Sequence, residues 1–262
     1  MLNEPLMKPT SNGRKFIRTW AICCLCALFV ACSGQIEGTF TMTGHGDLKL
    51  SAELQPKTAA LIRKIASGTG GAPSQALLNG AALSKGFSAL NGIEKAVFVN
   101  KTPNLVDGQL AITRIDELIA EQTGAGTGTA NRRFITWEQN AEGGRALIYL
   151  DRASAPAVVA SLSETLYDYL STVMAPVSTG EELSLSDYLE LVKAVYGEDI
   201  AQEIAASRLR LRLKFPAKIG SMLSSAQGGT SSGANAAFDI PLVELLVLEK
   251  PFFCDIKWGK QP

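Results

Sequence analysis

Residues 20–30 form an unbroken apolar run that follows a basic segment with Lys8, Arg14, Lys15 and Arg18 and ends in small residues at Ala31. This three-part order reads as a secretory signal. The run is about ten residues, short of the roughly 20 that a permanent transmembrane helix needs, and no later stretch is long enough either. Cleavage before Cys32 would discard residues 1–31 and with them Cys23, Cys24 and Cys26, leaving Cys254 as the one thiol besides Cys32. A single spare thiol cannot close an internal disulfide, so a packed core must hold the fold even in an oxidising compartment. Cys254 lies in the apolar Phe252-Phe253-Cys254 and reads as buried and inert.

The residues Leu28-Phe29-Val30-Ala31-Cys32 resemble the lipobox of bacterial lipoproteins, in which a diacylglycerol is attached to the cysteine thiol before the signal peptidase cuts ahead of it. The family usually has Leu three positions before the cysteine, where this chain has Phe29. The resemblance implies lipidation of Cys32 and a membrane partner reached through its acyl chains. Several acyl chains bury far more methylenes than the single chain that binds only marginally, so such an anchor would be stable. Ser33 follows, and the absence of Asp there resembles the pattern exported to the outer membrane. The expected location is therefore the bacterial cell envelope, lipid-anchored, at the outer membrane.

The 262 residues are 46% hydrophobic and 19% charged, close to ordinary globular usage and far from the mixtures that stay disordered. Residues 1–31 take four of the 25 basic residues and one of the 25 acidic ones, so the mature chain carries a net charge of −3. That balance gives no electrostatic footprint for nucleic acid. The expected organisation is a signal peptide at 1–31, a lipidated end and short tether at 32–37, and a single domain at 38–262.

Along the mature chain, residues 36–54 alternate around Gly44-His45-Gly46-Asp47 as a β-hairpin does. Pro56 opens a helix that glycines at 68–71 close, and a second helix is expected over 74–90. Strand-like runs follow at 94–99 and 109–115, then a short helix at 116–122 and a Gly/Thr-rich loop at 123–130. A second hairpin joins 134–138 to 145–150. Long helical patterns cover 156–174 and 184–206, the latter broken near Gly197. The chain returns to strand at 208–215, passes a Gly/Ser loop at 224–235 and closes with an apolar run at 238–258. Strands and helices come in groups without βαβ repeats, which points to an α+β fold: an antiparallel sheet built from hairpins with helices packed on one face.

This order of elements, with Ala96-Val97-Phe98-Val99 leading into further strands and a late strand near Arg208, is similar to LppM-type envelope lipoproteins. The resemblance implies an α+β envelope domain that touches lipid or glycolipid, and it transfers no catalytic residue.

Chemistry-bearing groups are few. His45, the one histidine, stands between two glycines at a turn, where a solvated role outweighs a triad or metal role. Neither a His pair at helical spacing nor a Cys pair is present in the mature chain, so no metal and no cofactor are expected. The glycine clusters at 68–71 and 124–128 lack a following Gly-Lys-Ser/Thr and read as connections. Carboxylates such as Glu181, Glu182, Glu198 and Asp199 fall at helix starts, where they answer exposed N–H groups. No catalytic residue is assigned, and the chain is read as non-enzymatic.

The most suggestive run is Arg208-Leu209-Arg210-Leu211-Arg212-Leu213-Lys214-Phe215. At a period of two, Arg208, Arg210, Arg212 and Lys214 line one face of a strand and four apolar groups the other. The functional reading is contact with anionic lipid headgroups. The bland one is a solvent face paired with cross-strand acids, which also guards a sheet edge. The apolar stripe of the 156–174 helix reads as core, since an interfacial helix would carry more Lys and Arg beside it. Two functions follow: a lipid- or glycolipid-binding module with an apolar cavity between sheet and helices, or a protein-interaction or adhesin-type module with a filled core and an exposed apolar patch.

Overall fold

The computed structural model describes residues 32–68, 77–120, 134–156, 170, 174–226 and 228–259. The signal segment, the 123–130 loop and nearly all of the 156–174 helical pattern lie outside the described residues. The described chain runs β1 (Cys32–Phe40), β2 (Gly46–Leu54), α1 (Pro56–Gly68), α2 (Gly80–Ser88), β3 (Ile93–Thr102), β4 (Leu105–Ile112), α3 (Ile115–Ala120), β5 (Ile135–Gln139) and β6 (Gly143–Leu150). It continues as α4 (Pro176–Thr179), α5 (Leu185–Tyr196), α6 (Glu198–Ala206), β7 (Arg208–Lys214), β8 (Ile219–Ser224), β9 (Thr230–Ser232), β10 (Asn235–Pro241), α7 (Leu242–Val247) and β11 (Phe252–Gly259).

The α+β class expected from the sequence is the class observed. A seven-stranded sheet has the order β3-β4-β2-β1-β7-β10-β9, and a four-stranded antiparallel sheet the order β5-β6-β11-β8. One junction of the larger sheet departs from the antiparallel rule: β7 runs parallel to β1, with Ile36 beside Leu211 and Gly38 beside Leu213. The pairing joins segments some 175 residues apart, and the helices between them supply the crossover that a parallel pair requires.

The hairpin β1–β2 forms because inward Ile36 and Phe40 face Leu48, Leu50 and Leu54 across it. Its turn closes with Thr41 N–H donating to the His45 carbonyl at 2.9 Å, and Gly44 takes a φ of 79° that a side chain would resist. Residues 32–37 are not a tether. Cys32 pairs with Leu54 and Ser33 with Glu53, so the sheet begins at the first residue of the expected mature chain.

The two sheets share a core in which Trp137 of β5 and Trp258 of β11 meet Phe40 of β1 and Phe215 at ring-centroid separations of 4.7–5.0 Å for successive neighbours. Such ring pairs add about 0.5–1.5 kcal/mol each beyond area burial. Beside them α2 lies along the edge strand β3, its Phe87 stacked on Phe98 at 5.1 Å. Ser84 Oγ accepts from Phe98 N–H at 2.7 Å, so the helix also satisfies part of the sheet edge. Gly108, across from Phe98 on β4, leaves room for that ring where any Cβ would strike it. A second core gathers α4 to α7 around Tyr188, Val192, Ile204 and Leu242. Gly197, with φ 96°, separates α5 from α6 where the break was expected. The apolar run at 238–258 is divided among β10, α7 and β11, because Pro241 ends the strand and opens a helix.

Candidate functional site

Alternation on β7 sends Leu209 inward, where it is 4% exposed, while Arg210, Arg212 and Lys214 face solvent. The strand lies between β1 and β10 and is therefore central, so the edge-guarding role considered for its cations does not apply. The register aligns them with groups on neighbouring strands. Arg210 stands between Gln35 of β1 and Asp239 of β10, and Arg212 between Glu37 and Ala237.

Each cation has a definable setting. Arg210 Nε lies 3.7 Å from Asp239 Oδ2, and Arg212 Nη1 lies 3.5 Å from Glu37 Oε1. The side chains of these pairs are 43–65% exposed, so they contribute at most about 1 kcal/mol and yield readily to a competing anion. Arg208 is spent differently: its Nη1 donates to the carbonyls of Ala205 at 2.8 Å and Ser207 at 3.0 Å, answering the carboxyl end of α6. Lys214 ends the strand beside Thr39 and Asn235. The basic strip thus presents Arg210, Arg212 and Lys214 outward, with Arg208 turned to the backbone.

Following the same rows away from β7 leads into a concavity of about 440 Å³ on the solvent side of the large sheet. One row runs Val99, Asp107, Ser51, Gln35, Arg210, Asp239, and the next Val97, Gln109, Lys49, Glu37, Arg212, Ala237. The floor is polar. Ser51 Oγ donates to Asp107 Oδ1 at 2.8 Å, and Gln35 Nε2 donates to Glu37 Oε1 at 2.9 Å, the same oxygen that faces Arg212. Val97 and Val99, 41% and 51% exposed, with Lys101 form the β3 wall. Lys49, Glu37 and Arg212 are successive cross-strand neighbours, so the trough and the cationic strand form one continuous surface.

This concavity is not where an apolar cavity was expected. On the opposite side of the sheet, facing α2, Leu83, Phe87, Leu90 and Phe98 are 3–5% exposed and packed together. The sequence reading found the β7 cations and missed the trough residues. Their outward alternation on β1 and β2 is visible in the sequence, but their place beside β7 depends on the parallel junction.

The remaining groups do not assemble with this surface. His45 sits in the β1–β2 turn with Nδ1 2.7 Å from Thr43 Oγ1. Cys254 is 4% exposed, and burial pushes its thiol up to about 12. Among the described residues no three His, Cys, Asp or Glu side chains converge as metal ligands, and no helix is long and apolar enough to cross a membrane. Glu198 and Asp199 begin α6 as expected, and Glu198 pairs with Lys193 at 2.6 Å.

The sequence matches no family of known proteins and no curated protein. Among solved structures it is similar to the folded domain of LppM from Mycobacterium tuberculosis, determined by NMR, at 10% identity and a TM-score of 0.38 over 88% of this chain and 92% of that one. At that level of likeness no ligand or activity passes from one protein to the other.

Proposed function

We propose that this chain is a lipid-anchored protein of the bacterial envelope, held by acyl chains on Cys32, and that the outer face of its large sheet binds the anionic headgroup of a lipid or glycolipid without catalysing a reaction. The observation that supports the reading is the continuity of that face. Arg212 and Lys49 flank Glu37 in register and Arg210 stands one row over beside Gln35, next to a 440 Å³ trough lined with amide, hydroxyl and charged groups. Such a surface offers charge-assisted donors for phosphate or carboxylate oxygens and neutral donors and acceptors for the hydroxyls around them. Arg210 and Arg212 hold their present acids only weakly, so an incoming anion displaces little.

Residues 33–262 made without an anchor are expected to carry lipid, visible as added mass in native mass spectrometry. The Arg210→Glu, Arg212→Glu double variant is expected to lose at least ~90% of it while melting within a few degrees of the parent, since exposed pairs add little to stability. A protein-interaction surface is the second reading, favoured by exposed Val97 and Val99 on the wall strand β3. An empty domain, or lipid retained equally by the double variant, sinks the headgroup reading and favours the second.

A further inference from the structure

The absence of a linker at Cys32 bears on how the protein meets its membrane. Because β1 starts at Cys32, the residue proposed to carry the acyl chains is itself within the sheet, its backbone paired with Leu54. The same end is tied down on both sides. Gln55 Nε2 donates to Ser33 Oγ at 3.2 Å, and Leu54 N–H donates to the Asn104 carbonyl at 2.9 Å, binding the end of β2 to the β3–β4 turn. Glu203 of α6 accepts from the backbone N–H groups of Lys57 and Thr58 at 2.9 and 2.7 Å, fixing the start of α1 there too. The parallel register of β7 places Arg208 at this end, with Leu209 beside Gly34.

We propose that this end of the large sheet is the membrane-facing surface of the protein, and that the domain stands end-on with the β1–β2 turn as its distal tip. The inference rests on acylation of Cys32. Its geometric content is a distance. Phe40 lies eight residue steps along the strand from Cys32, so the turn lies about 27 Å from the anchor. The polar layer of a bilayer is only about 5–7 Å deep on each side, so the near end enters it and the turn stands clear. Exposed Lys101, Thr102 and Pro103 of the β3–β4 turn meet the headgroups, Lys101 being the cation suited to anionic lipid, while Lys57 at the same end is held by Asp199 at 3.0 Å and Glu53 stands exposed beside them.

The test uses the full chain, processed in a bacterial host and reconstituted into vesicles of phosphatidylglycerol and phosphatidylcholine with a nitroxide on a fraction of the headgroups. A fluorophore is placed on Pro103→Cys at the near end or on Met42→Cys in the turn, buried Cys254 being protected from the label. Quenching is expected to be at least fivefold stronger at 103 than at 42. Inserting eight Ser/Gly residues after Cys32, a flexible spacer of about 16 Å, is expected to bring the two signals together. Equal quenching at both sites in acylated protein without the insertion overturns the orientation and leaves the anchor standing. A chain that carries no acyl group and does not float with the vesicles overturns the anchor and the orientation together.

Discussion

Cys254 was legible as a buried thiol because two phenylalanines precede it and alternation carries it into the core with Ile256 and Trp258. Burial, with a smaller push from the neighbouring Asp255 carboxylate, holds its pKa near 12 against an ordinary value of about 8.5. At pH 8 the folded protein therefore holds on the order of a thousandfold less thiolate than the unfolded chain, and a disulfide reagent is expected to modify Cys254 only as the protein unfolds. The sign for stability follows. The neutral thiol favours the folded state, and this contribution is fully present below about pH 8.5 and is lost as the pH rises towards 12. Tyr188 and Tyr196 shift upward through burial as well, so alkaline destabilisation has several sources. Cys254→Ala is expected to flatten part of the decline in melting temperature between pH 8.5 and 11, and an unchanged slope would contradict the assignment. By contrast, the partners of Arg210 and Arg212 were not legible. Alternation gives the face of a side chain, and only strand neighbours give its company.

Elements announced by their own residues were read correctly. Pro56 opens α1, Ser184 caps α5 by accepting from Asp187 N–H at 3.1 Å, and Gly197 divides α5 from α6. The second expected helix begins later, at Gly80, where Asn79 accepts from Ala82 N–H and the helix must fit close to the Phe98 carbonyl. No local signal indicated that the amino end of α1 would be capped from α6. Glu203 accepts from the Lys57 and Thr58 N–H groups and from the buried Thr58 hydroxyl at 2.9 Å. This is a cap supplied across 145 residues of sequence. Glu203→Ala leaves these donors without their acceptor and is expected to cost about 1–3 kcal/mol, read as a shift in the denaturation midpoint. Opening of α1 ahead of global unfolding in hydrogen exchange would identify the cap as the cause, and a neutral effect would mean that water replaces it.

The larger arrangement follows from one contact that no sequence period announces. Setting β7 parallel to β1 makes an amphipathic strand central, joins its cations to the polar faces of β1 and β2, and leaves the large sheet with a buried side and a polar solvent side. The hairpins 36–54 and 134–150 were legible because alternation and a tight turn lie within one short window. The parallel junction, the division into two sheets and the trough depend on long-range pairing. The expected tether at 32–37 failed for the same reason: Gly34, Ile36 and Gly38 gain their places from β2 and β7, which the local sequence does not show. With the sheet beginning at Cys32, the proposed anchor and the trough belong to one sheet, so acyl chains on Cys32 would set the height of the trough above the lipid. The most direct test is the intact mass of the protein extracted from the membranes of a bacterial host. A chain beginning at Cys32 and carrying diacylglycerol, with or without a further acyl group, is the predicted result; an unmodified Cys32, or a chain that keeps residues 1–31, contradicts it.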